Sequence, residues 1–288
     1  MLASRKVVIL LALGAVAAAA IFYYSCCFIS KTIHDLSLTP TEKVIQYKLA
    51  MEGESFKNLT FDLVDPAASP EPIRAAVLRG YRLIVDTQNE AKEYAGDRIN
   101  CTNCHFAGGI TTGGRGGGIS LAGVAAKYPI YDTRAESMID LSERINMCFE
   151  RSMNGKALPL DSDEMLALIT YLHWISRNFP TYAKVPWLGV KIISSTKAPD
   201  PKKGEMIYAQ ECALCHKADG EGEGVIPPLW GDGSFNDGAG MGVLKVMSSF
   251  VYWNMPYMNA HLSENEAIDV ASYIVKQPRP SFNPKKGN

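Results

Sequence analysis

Two pentapeptides of one form constrain this chain more than anything else in it. Cys101-Thr102-Asn103-Cys104-His105 and Cys212-Ala213-Leu214-Cys215-His216 both read Cys-x-x-Cys-His, and they begin 111 residues apart (212 − 101). That spacing is the pattern of covalent c-type heme attachment. Two thiols three positions apart on one helical turn reach both vinyl groups of a porphyrin, and the adjacent histidine lies under the iron as its proximal ligand. A zinc site made from the two Cys-x-x-Cys pairs, or a redox dithiol, would leave the histidine after each second cysteine unexplained. The expectation is two covalently bound heme c groups, held by Cys101, Cys104 and His105 and by Cys212, Cys215 and His216.

The two halves repeat more than their heme sites. Asp161 and Glu164 mark a capping-box start, followed by the apolar helical stripe Met165, Leu168, Ile169 and Leu172. Ser263 and Glu266 do the same before Ile268, Ala271, Ile274 and Val275. Tyr171 falls on Tyr273 at an offset of 102 (273 − 171), and Glu164 on Glu266 at the same offset (266 − 164). N-terminal helices are expected from Pro72 to about Glu93 and from Lys202 to Gln210. Each half then reads as helix, heme-attachment turn, loop region and helix, the layout of a small cytochrome c domain. The expected fold is all-α: two tandem class I cytochrome c-like domains behind an N-terminal signal or anchor helix. The domain boundaries are residues 71–186 and 201–288, with a linker at 187–200 and an N-terminal extension at 31–70. Seven glycines between Gly108 and Gly118 suggest a phosphate loop, but no Gly-Lys-Ser/Thr ending follows and no strand precedes it. They are expected to form a compact loop after the first heme site, with Arg115 near a propionate.

Arg5 and Lys6 precede an apolar run from Val7 to Tyr24, which continues with one serine to Ile29. A basic flank before an apolar core is the layout of a secretory signal peptide or an uncleaved membrane anchor, here residues 1–30. Either places the rest of the chain in the periplasm. The 29 basic and 30 acidic residues leave a formal net charge of −1, which excludes nucleic-acid binding through bulk positive charge.

The sixth iron ligands separate an electron carrier from a catalyst. A methionine from the loop before the last helix closes that position in a carrier and raises the potential. Met255 lies 18 residues before Tyr273 (273 − 255) and fits that role, with Met258, Met247, Lys245 and His261 as rivals. In the first half Met153 occupies the equivalent place (171 − 153). The same loop also holds Cys148, the one cysteine of seven that lies neither in the export segment nor in a heme site. A thiol facing the iron is a candidate thiolate ligand, which would depress the potential. Arg144 and Ser152 lie four residues to either side of Cys148, on one face of a helix, and Arg134 precedes Cys148 by 14 (148 − 134).

The run Arg144-Ile145-Asn146-Met147-Cys148 through Arg151-Ser152-Met153-Asn154-Gly155, with the first heme site upstream and Tyr128-Pro129 and Arg134 between, resembles the diheme thiosulfate dehydrogenases, also known as tetrathionate reductases. The resemblance implies a catalytic first heme with Cys148 as distal ligand, and a relay heme with Met255. Asn254 stands where some members have a lysine. It further implies thiosulfate and tetrathionate as substrates, an anion site drawing on Arg134, Arg144, Ser152 and Lys156, and a redox partner such as a soluble cytochrome. The alternative is a non-enzymatic, membrane-anchored diheme carrier, which would use Met153 and give Cys148 no purpose.

Overall fold

The computed structural model describes residues 65–96 and 98–283, together with the backbone of four short strands between 44 and 62. The expected export segment, 1–30, lies outside the described residues; among those described, no helix is long and apolar enough to cross a membrane. Among the described residues, six α-helices longer than four residues organise the chain: α1 (Arg74–Val85), α2 (Leu141–Met147), α3 (Asp163–Trp174), α4 (Pro201–Ile207), α5 (Leu244–Asn254) and α6 (Glu264–Val275).

Each half is built on a crossing of its first and last helix. α1 buries Val77, Gly80, Leu83 and Ile84, one face at helical spacing, against α3. The crossing is close because Gly80 has no side chain: a Cβ there would sit 2.2 Å from Ala167 O. In the second half Gly204 of α4 does the same against α6, where a Cβ would sit 2.1 Å from Asp269 O. The two crossings belong to one compact unit, 42–288, and share a single core cluster that runs from Val77 and Tyr171 to Tyr208 and Ile274.

Helix ends follow the sequence with small shifts. Ser263 and Glu266 form the expected capping box of α6. α3 starts one residue later than expected: Ser162, not Asp161, is the N-cap, its hydroxyl accepting from Met165 N at 3.2 Å. α1 stops at Val85, well short of Glu93, and a separate turn at Thr87–Glu90 follows. α4 gives way to a π-helical turn, Tyr208–Cys212, which leads into the heme-attachment turn Ala213–His216.

The all-α expectation needs correction to largely α. Among the described residues are three two-stranded antiparallel sheets. Two lie in the N-terminal extension: β1 (Val44–Tyr47) pairs with β4 (Leu59–Asp62), and β2 (Ala50–Met51) with β3 (Glu54–Ser55). The third joins β5 (Ile130–Asp132) to β6 (Ser137–Ile139), with Tyr131 opposite Met138. The alternation there is too short to register as a strand pattern, and Asp132, whose carboxylate accepts from Arg134 N and Ala135 N, closes the turn.

Residues 187–200 carry no helix, yet they are fastened to both halves. Trp187 Nε1 donates to Ala122 O at 2.9 Å, Ile193 N to Ser249 Oγ at 3.2 Å and Ser195 N to Glu264 Oε2 at 2.7 Å.

Candidate functional site

The first Cys-x-x-Cys-His turn is held by the chain on either side of it. Asn100 and Asn103 cap it reciprocally, and Cys101 N donates to Thr87 Oγ1 at 3.1 Å. His105 Nδ1 lies 2.7 Å from Ile119 O; a carbonyl only accepts, so Nδ1 carries the proton and Nε2 is left for a metal. Burial pushes His105 down to about 4, against the opposing pull of that hydrogen bond, so the imidazole is neutral, the form that ligates iron. His216 repeats the arrangement, with Nδ1 3.0 Å from Pro227 O and burial again lowering its basicity. The described cysteines, Cys101, Cys104, Cys148, Cys212 and Cys215, form no disulfide with one another. Thiols free for thioether bonds and a histidine oriented through Nδ1 in both turns fit two covalently attached hemes.

The segment that carries Cys148 lies close to the first of these turns. Asp140 caps α2 through a box with Glu143, so the helix projects Arg144 and Cys148 one turn apart. Arg144 Nη1 donates to Cys148 Sγ at 2.8 Å. Burial raises the Cys101 and Cys104 thiols to about 11 and about 12, and Cys148 is near enough that a charge on it would raise both further. The helix does not continue regularly through Ser152. Cys148–Ser152 is a π-helical turn, with Met153 N bonded to Cys148 O at 3.0 Å. Ser152, half-buried, closes that π turn four residues after Cys148.

Other groups gather round Arg144. Tyr128 lies close to it: burial pushes that phenol up to about 12, while the Arg144 charge pulls it back. Burial alone would raise the Asp132 carboxyl, but the N–H groups of Arg134 and Ala135, with the Arg134 and Arg144 charges, bring it below its ordinary range. Arg134 Nη2 is 3.7 Å from Asp132 Oδ2, and its side chain is 43% exposed. Arg151 is lowered by burial first and then by the charge of Arg134, and its guanidinium lies 4.7 Å from the centre of the Phe282 ring. Lys156 is exposed, and its backbone N–H bonds to Tyr94 O. Tyr128 and Arg151 stand in the quoted motif, but their spacing gives no sign that the charges of Arg144 and Arg134 reach them.

Met153, the carrier-type candidate, is 2% exposed and packs in the core. In the second half the rivals also separate. Met247 is buried in the core, Met258 is 71% exposed, Lys245 is exposed, and His261 Nε2 lies 3.4 Å from Glu211. Met255 is half-buried against the core just past α5, its N–H bonded to Val251 O. Arg115, expected near a propionate, donates to Ala260 O at 2.6 Å and lies over the Tyr252 ring.

The second half also braces the Cys148 segment. Asn236, 2% exposed, donates through Nδ2 to Glu150 O at 2.7 Å and to Asn154 Oδ1 at 3.1 Å, while its N–H bonds to Arg151 O.

Residues 92–181 match the family model "SoxA/TsdA, cytochrome c domain", and 199–274 match "Cytochrome C oxidase, cbb3-type, subunit III". The chain is 35% identical over 239 residues to a thiosulfate dehydrogenase of Allochromatium vinosum, covering 80% of this chain and 88% of that one. It is 41% identical over 209 residues to a thiosulfate dehydrogenase of Thiomonas intermedia, covering 70% and 65% respectively. A solved structure of the thiosulfate dehydrogenase TsdBA from Marichromatium purpuratum superposes with a TM-score of 0.73 at 30% identity, over 78% of this chain and 50% of that one.

Proposed function

The chain belongs to the diheme thiosulfate dehydrogenase family, and from that premise we propose that it joins two thiosulfate ions into tetrathionate beside its first heme, or splits tetrathionate in reverse, while its second heme relays the electrons. It is an oxidoreductase acting on sulfur compounds, and it carries two covalently bound heme c groups. In this reading residues 71–186 are the catalytic domain and 201–288 the relay domain, working in the periplasm with a redox partner such as a soluble cytochrome. His105 and Cys148 would hold the iron of the first heme, and His216 and Met255 that of the second. The observation that supports the reading is the Arg144–Cys148 hydrogen bond.

Thiosulfate coupling must overcome charge. Two doubly charged anions about 5 Å apart repel by roughly 13 kcal/mol at an effective dielectric near 20. Fixed positive charge has to offset that, and Arg134, Arg144 and Arg151 form such a cluster, with Asp132 orienting Arg134. Ser152 adds a hydroxyl donor on the same segment, and Lys156 a charge at its outer end.

The hemes, when bound, supply one-electron acceptors for the two electrons that the coupling releases. Cys148 Sγ, as the thiolate, bonds to the outer sulfur of one thiosulfate; thiolate and ion together lose two electrons and leave Cys148 carrying an S–SO3 group with one negative charge. The second thiosulfate attacks that outer sulfur. The central S–S bond of tetrathionate forms, the bond to Cys148 breaks, and Cys148 leaves with the electron pair as a thiolate, ordinary thiol–disulfide chemistry. Arg144 is placed to stabilise it as it leaves.

The test is tetrathionate formation from thiosulfate by the purified holoprotein with a soluble electron acceptor. Cys148→Gly and Cys148→Met are expected to retain both hemes and lose activity by about a thousand-fold or more, as removal of a nucleophile does. Full tetrathionate formation by either variant would refute the role of Cys148.

A further inference from the structure

One side chain in the second half is bonded to the loop that orients the histidine of the first. Asn254 ends α5 immediately before Met255 and is 3% exposed. Its Oδ1 accepts from Gly118 N at 2.8 Å, and its Nδ2 donates to Phe250 O at 3.0 Å, so a single amide orientation satisfies both partners. Gly118 leads directly into Ile119, whose N–H donates to Cys104 O at 2.9 Å and whose carbonyl accepts from His105 Nδ1 at 2.7 Å. Gly118 has a φ of +64°, and a Cβ there would lie 2.7 Å from the Phe106 ring and 2.9 Å from Cys104 O, so the loop has one way to pass.

Neighbouring contacts seat the same loop on the same surface. Gly116 N donates to Trp253 O at 2.6 Å, and the Arg115 guanidinium lies 4.6 Å from the centre of the Tyr252 ring. Phe106, next to His105, packs edge-on against Tyr257 with ring centroids 5.0 Å apart. Asn254 is the member of this interface that both adjoins Met255 and reaches the backbone beside Ile119.

We propose that Asn254 is a positioning residue shared by the two heme sites. Through Gly118 it fixes the Ile119 carbonyl that sets the His105 imidazole, and through its own backbone it fixes the turn bearing Met255. The hydrogen bond at Nδ1 governs how strongly a ligating imidazole donates to its metal. A residue of the relay half thereby tunes the first heme. This rests on His105 and Met255 being axial ligands, as proposed above.

The test compares the holoprotein with Asn254→Ala and Asn254→Asp by electron paramagnetic resonance, redox titration and hydrogen exchange at Gly118. Asn254→Ala is expected to shift the g values of the first heme as well as the second, to raise the first heme's potential, and to deprotect the Gly118 amide. Asn254→Asp keeps an acceptor for Gly118, so first-heme g values and amide protection return to those of the wild type. First-heme g values and Gly118 protection unchanged in Asn254→Ala, or altered but not restored by Asn254→Asp, overturn the proposal. A wild-type protein whose signals fit neither histidine–thiolate nor histidine–methionine ligation overturns the ligand reading beneath it instead.

Discussion

Arg144 and Cys148, one helical turn apart, are joined by a hydrogen bond of 2.8 Å from Nη1 to Sγ. The pair sits where a helix changes from α to π winding, with Cys148 the first residue of the wider turn. Single-turn π bulges tend to lie at functional sites because they re-aim side chains without ending the helix. Here the bulge follows Arg144, so the guanidinium keeps its place beside the sulfur while the residues beyond Cys148 are redirected. One arginine therefore supports the thiol and, in the proposed reaction, is placed to meet the anions that approach it.

Removing that arginine should cost turnover more than structure. Arg144→Ala is expected to lower kcat/KM for thiosulfate by about 10²–10³, the range for losing one preorganised donor at a developing charge. Arg144→Lys keeps the charge without the planar fork and should fall between the two. Steady-state kinetics with heme content held equal distinguishes them, and wild-type kcat/KM in Arg144→Ala would remove Arg144 from the site.

The relay half should respond separately. Met255→Gly is expected to change the spectrum and potential of the second heme and leave those of the first as they were. Visible spectra and redox titration read both hemes at once. A change confined to the first heme would contradict the assignment of Met255.

Asn236 offers a mechanical test of the brace across the two halves. Asn236→Ala leaves Glu150 O and Asn154 Oδ1 without their buried donor, which should cost about 1–3 kcal/mol of stability. Because the loss falls on the turn bearing Cys148, KM for thiosulfate should rise as well. Denaturant unfolding and kinetics on one preparation check both, and a KM rise without destabilisation would argue for direct contact with substrate.

Acid should loosen the helix that presents Cys148. The Ser142 hydroxyl first, and then the Glu143 N–H, hold the Asp140 carboxyl below its ordinary range. A depressed carboxylate contributes stability that is present above its unfolded pKa, near 4, and is lost as pH falls through the folded value. Asp140→Ala should cost about 1 kcal/mol at neutral pH through loss of the cap. It should also flatten the decline of stability below about pH 4. An unchanged acid limb in the variant would remove Asp140 as a contributor.

Much of this was legible in the sequence because it rests on local spacing. The heme turns are five consecutive residues, the C-terminal helices carry caps and stripes in phase, and Arg144 with Cys148 needs only one regular turn. What was not legible depends on elements far apart in the chain. Gly80 and Gly204 look like weak points in their helices until α3 and α6 come to lie on them. The β5–β6 hairpin, too short to show alternation, sets Arg134 against Asp132 and toward Arg151. The π turn at Cys148–Ser152 has no sequence signature. Asn236 and Asn254 are ordinary polar residues in the sequence; their roles come from partners in the other half.

The most direct measurement is electron paramagnetic resonance of the oxidised holoprotein. One low-spin signal of the histidine–thiolate type beside one of the histidine–methionine type is expected, with the former abolished in Cys148→Gly. Two histidine–methionine signals would contradict a cysteine-ligated first heme and, with it, the role given to Cys148.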